Sequence, residues 1–180
     1  MRHLVIGMLA ACGSDGGATD GGSDVPAVGC ETTTPWAAAP AVTLGPTQET
    51  AAVATGGKIY VLGGFNGTLA VVDAVQIFDP AACTWSTGPA LPKQVHHANA
   101  AVVDGTIYVL GSMQTTAFST IGDVWSWNPA TETTWTVRAP MPAGTQRGAS
   151  VAGAIDGKIY VAGGLRNGAI ADFGVYDPGA

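Results

Sequence analysis

Charge is scarce in this sequence, with Lys, Arg, Asp and Glu together making up 11% of 180 residues. The seven basic residues are scattered (Arg2, Lys58, Lys93, Arg138, Arg147, Lys158 and Arg166) and the net charge is −6. Nothing here builds a phosphate-tracking stripe, which argues against nucleic acid as a partner. Also missing is any sustained apolar stripe at helical spacing, so helices are not expected. No Ser-His-Asp spacing, nucleotide-binding loop or acidic catalytic pair stands out, and the sequence gives no catalytic residues and no cofactor. What is abundant is glycine, 26 residues, beside plentiful Val and Thr and a 47% hydrophobic share. That mixture suits short strands joined by tight turns around a real core.

The chain opens MRHLVIGMLAAC, with Arg2, an apolar run Leu4–Ala11 and then Cys12. The run is too short to span a bilayer. It resembles a bacterial lipoprotein signal, in which residues 1–11 are removed and the cysteine is lipidated. The resemblance implies export and a lipid anchor at Cys12 in the cell envelope, at the outer membrane or cell surface. Residues 12–33 follow as a tether. Its stretch 13–29 is rich in Gly, Ser and Asp and holds no aromatic residue, so it buries too little apolar surface to offset its ordering entropy. Asp15, Asp20 and Asp24 are spaced unlike a calcium loop, whose ligands alternate.

Residues 34–180 are repetitive. GGKIYVLGG at 56–64 returns as DGTIYVLGS at 104–112 and DGKIYVAGG at 156–164. Asp79, Asn128 and Asp177 each precede a proline, and Trp36, Trp85 and Trp135 keep a matching spacing near fifty residues. Each period reads as a small-residue strand, a tight turn, the Ile-Tyr-Val strand, a variable loop, a strand ending in an aromatic-Asp/Asn-Pro turn, and a strand through tryptophan. Such four-stranded units resemble the kelch repeat, whose copies form β-propeller blades. The expected fold is therefore all-β, with about three four-stranded antiparallel blades of a partial or truncated propeller. Residues 34–41 read as an outer strand ahead of the first blade, and 171–178 stop short of an outer strand in the third. Two chains closing a six-bladed ring, a homo-oligomer through exposed blade faces, would complete such an arc; the favoured expectation is instead that the chain is the front part of a longer ancestral propeller cut short.

The resemblance also implies a binding face. Loops entering the inner strands (45–50, 91–97, 141–147) carry Gln48, Gln94, His96, His97, Gln146 and Arg147; loops after the Gly-Gly strand (65–73, 113–123, 165–172) carry Asn66, Gln114, Arg166 and Asn167. Amides, imidazoles and guanidinium groups suit a protein or glycan ligand. No metal site is expected, because adjacent His96 and His97 on a strand should face opposite ways. Tyr60, Tyr108 and Tyr160 occupy repeat positions and read as packing residues. A non-enzymatic binding module is the leading reading; the alternative is a fragment of a kelch-type carbohydrate-active enzyme, galactose-oxidase-like or sialic-acid-epimerase-like. Export would let Cys30 and Cys83 bridge, provided the segment around Cys30 reaches across from its own repeat.

Overall fold

A computed structural model describes Cys30 and residues 34–180. The signal, Cys12 and most of the tether lie outside the described residues. Thirteen strands follow in order: β1 (Thr47–Gln48), β2 (Ala51–Thr55), β3 (Lys58–Leu62), β4 (Phe65–Asn66), β5 (Val75–Asp79), β6 (Thr84–Thr87), β7 (Ala100–Val103), β8 (Thr106–Gln114), β9 (Ser119–Trp127), β10 (Thr136–Arg138), β11 (Val151–Ile155), β12 (Lys158–Ala162) and β13 (Phe173–Tyr176). They form antiparallel sheets β2-β3-β5-β6, β7-β8-β9-β10 and β11-β12-β13, with β1 and β4 paired apart. These are three blades of a β-propeller, the first two with four strands and the third with three.

Why the recurring strand must end in glycine is visible where one blade meets the next. Gly63 has φ 59°, and a Cβ there would lie 2.4 Å from the Val95 carbonyl oxygen of the segment entering the second blade. Gly111 repeats the situation, with its Cβ position 2.6 Å from the Arg147 carbonyl oxygen. Both the left-handed backbone and the close crossing exclude a side chain. In the middle blade Ser112 stands where the others have a second glycine. There the strand does not stop: β8 shifts register between Leu110 and Ser112 and continues to Gln114, paired with β9. The stretch 113–123, expected as a loop, is thus largely a hairpin extension.

The aromatic positions staple blade to blade. Tyr60 of the first blade meets Trp127 of the second edge-on at 5.7 Å, and Tyr108 meets Tyr176 of the third at 6.0 Å. Burial pushes all three tyrosine hydroxyls, 60, 108 and 176, above their ordinary pKa, as packing residues should be. Trp85 and Trp135 donate their indole N–H to the carbonyls of Pro40 and Pro89, each in the linker entering its own blade. Residues 34–41 depart from expectation. They form no strand, and Trp36 is 92% exposed. No sheet takes this segment up; its Pro40 instead receives the Trp85 bond. Cys30 and Cys83 form a disulfide with Cα atoms 5.4 Å apart, tying the segment ahead of Trp36 to the β5–β6 turn.

Candidate functional site

Antiparallel pairing puts the start of each inner strand beside the end of its neighbour, so both loop sets open at one end of the blades. Thr47 and Gln48 pair with Asn66 and Phe65, His96 bridges to Met113, and Gly148 bridges to Leu165. Just inside this rim, Glu49, His97 and Ala149 occupy equivalent left-handed positions with φ of 55°, 49° and 54°. The His97 N–H donates to the Glu49 carbonyl at 2.9 Å and the Ala149 N–H to the His97 carbonyl at 2.8 Å. One backbone bond therefore passes from blade to blade at the same place in each repeat.

The left-handed turn at His97 overturns the expectation that the two histidines face apart. Strand alternation fails at a positive φ, and the imidazoles meet with their Nδ1 atoms 2.6 Å apart. His96 is fully buried against Phe65 and Phe118, ring centroids 4.3 and 5.0 Å away, and is closed to an external ligand. Its Nε2 lies 2.9 Å from the Thr115 carbonyl, which can only accept, so that nitrogen bears the hydrogen. One hydrogen lies between the two Nδ1 atoms. The other edge of His97 faces Glu49 Oε2 at 2.9 Å. Burial lowers the His97 pKa, with Glu49 pulling it back up and His96 lowering it further. Among the described residues no three His, Cys, Asp or Glu groups gather as a metal site.

The other candidates separate by what they touch. Gln48, Gln94 and Gln114 lie at the rim, with the Gln114 amide donating to the Gln94 carbonyl at 3.4 Å. Asn66 is spent on its own loop, its Oδ1 accepting from Thr68 and Ala70. Gln146 accepts from the Gly144 N–H, and Asn167 is an exposed turn residue with φ 56°. Arg147 and Arg166 converge on Asp172, at 3.6 and 2.9 Å. Arg147 is only 4% exposed and lines a cleft of about 480 Å³ between the second and third blades. Glu49 lies in the first entering loop, but Phe118 and Asp172 were not singled out from the sequence; their roles come from register and backbone sign, which no short motif spells out.

The blade architecture with loops gathered at one end defines a propeller-type repeat protein. A family model described as Kelch motif matches residues 46–92, and the chain carries kelch repeats. It is 36% identical over 141 residues to Kelch-like protein terF of Aspergillus terreus, covering 72% of this chain and 30% of that protein. It is 35% identical over 89 residues to human Kelch-like protein 33, covering 49% of this chain and 16% of the relative. Mouse Kelch-like protein 35 is 33% identical over 90 residues, with 50% and 15% covered. The chain thus spans less than a third of the length of the curated relatives it matches.

Proposed function

We propose that the chain is a non-enzymatic interaction module whose loop-bearing end takes a protein or glycan ligand, held at the bacterial cell envelope by lipid on Cys12. The observation that carries the binding half is the gathering of rim amides, Gln48, Gln94 and Gln114, from consecutive blades at one end. Loops set on a rigid sheet are where binding residues accumulate. The uncovered faces of the first and third blades supply a route to homo-oligomers. The anchoring half rests on the lipobox-like LAAC sequence ahead of a Gly/Ser/Asp tether. Two acylation signals hold firmly where one chain alone does not, each buried methylene contributing about 0.8 kcal/mol.

The test has two arms. Cys12→Ala should move the protein from the detergent phase to the aqueous phase with its fold unchanged; unaltered partitioning refutes the anchor. Replacing Gln48, Gln94 and Gln114 by alanine together should abolish binding on a glycan array or in cross-linking to cell-surface proteins. Stoichiometric copper with turnover of galactose, or turnover of sialic acid, would overturn the non-enzymatic reading.

A further inference from the structure

Repeat equivalence isolates one residue that the fold does not require. Asp104-Gly105 and Asp156-Gly157 are the same turn in successive blades, which makes Arg147 the counterpart of Val95. Val95 is an apolar residue, fully buried between the first and second blades. The equivalent interface between the second and third blades buries a guanidinium instead. One Nη of Arg147 donates to the Val161 carbonyl at 2.9 Å and the other lies 3.6 Å from Asp172. Its Nε–H is buried with no partner, and so is one Nη of neighbouring Arg166. Two cations share the single Asp172 carboxylate, with donors left over.

A buried guanidinium with an unmade hydrogen bond is costly, and a valine in its place would remove the cost. The backbone holds Arg147 firmly in this position: its carbonyl accepts from the Asn99 amide at 3.1 Å, and Asn99 in turn accepts from the Ser150 N–H at 2.7 Å. The cleft beside it is walled by Leu110, Val124, Met141, Val161 and Tyr176. One surplus positive charge at the head of an apolar cleft matches one kind of ligand.

We propose that this interblade cleft binds an organic monocarboxylate, its carboxylate bonded to Arg147 and its apolar body lying on the walls. A phosphate carries more charge than one surplus guanidinium balances, and a neutral apolar molecule leaves the Nε–H unmet. The carboxylate belongs either to a free acid or to the C-terminus of a peptide ending in an apolar residue. The proposal gives the interaction-module reading a ligand class and rests on it, but uses a cleft separate from the rim amides, so either can fail alone.

The probes are octanoate for the free acid and N-acetylphenylalanine for the peptide end, each against its uncharged amide, titrated into the full chain. Isothermal calorimetry gives affinity, and arginine Nε–H resonances in proton–nitrogen spectra report the site. One or both carboxylates should bind, the amide at least about tenfold more weakly, with a shift in one arginine Nε–H signal. Which acid binds identifies the source. Asp172→Asn removes the competing carboxylate and should tighten binding several-fold, whereas Arg147→Met should abolish the preference for acid over amide. Because Arg147→Met could disturb the blade interface, the Asp172→Asn result decides on its own. No binding of either acid, equal binding of acid and amide, or weaker binding by Asp172→Asn overturns the proposal.

Discussion

At the scale of single residues, backbone sign and close approach decide more than side-chain chemistry. Gly64 has φ 99°, and a Cβ there would meet the Gln48 carbonyl oxygen at 2.5 Å and Thr50 Cγ2 at 2.6 Å. Gly57 has φ 74° with open space around it. Gly57→Ala should therefore cost only the left-handed penalty, about 1–2 kcal/mol, and Gly64→Ala about 2–4 kcal/mol from strain and displacement combined. Urea denaturation of the two variants measures the gap; equal costs would mean that the interblade crossing is looser than described. His97 gives a pH signature. An unfolded histidine takes up its proton near pH 6.5, while folded His97 does so only at lower pH because burial opposes it. Below about pH 6.5 the unfolded chain then binds more protons, so stability should fall as pH falls from there to the folded value. His97→Gln should flatten that limb. A separate loss follows in stronger acid, because Lys58 and Lys158 hold the Asp79 and Asp177 carboxyls below their ordinary pKa, and that contribution goes only as pH drops through the lowered values.

At the scale of strands, each blade closes its lower turn with a pair from β3 and β5 or their equivalents. Lys58 pairs with Asp79 and Lys158 with Asp177, but in the second blade Asn128 donates to Thr106 at 3.4 Å. Ionic partners changed together to neutral ones. Thr106→Lys with Asn128→Asp should accordingly show favourable coupling in a double-mutant cycle, fading at about 1 M salt; no coupling at low salt would reduce the pairs to bystanders. The blades themselves were legible, because glycine, Tyr and Asn/Asp-Pro recur at one spacing and each answers a fixed geometric need. The hairpin extension of β8 and β9 was not: Ser112 for glycine changes the end of a strand only because a neighbouring bulge absorbs the register. Nor could the letters of residues 34–41 reveal that no strand edge receives them. For the candidate site, the rim amides could be read from loop position. The clustering of His96, His97 and Glu49 could not, since it depends on positive φ at non-glycine residues.

At the scale of the whole molecule, packing is repeated between blades and then left uncovered at both ends of the arc. Ile107 and Ile159 are 0% exposed at their blade interfaces, but the equivalent Ile59 of the first blade is 40% exposed. On the third blade Val151, Phe173 and Val175 face solvent, Phe173 stacking on Tyr160 rather than on a further blade. Apolar faces of this kind favour association. That blade faces are built to pack on blade faces is the central claim, and light scattering on the full chain beside an Ile59→Glu, Val151→Glu variant tests it most directly. The expected result is a mass above that of one chain for the unaltered protein, broad if the two faces are poorly matched, and a return to the single-chain mass for the variant. A sharp single-chain peak for the unaltered protein, or association that the two charges leave unchanged, would contradict it.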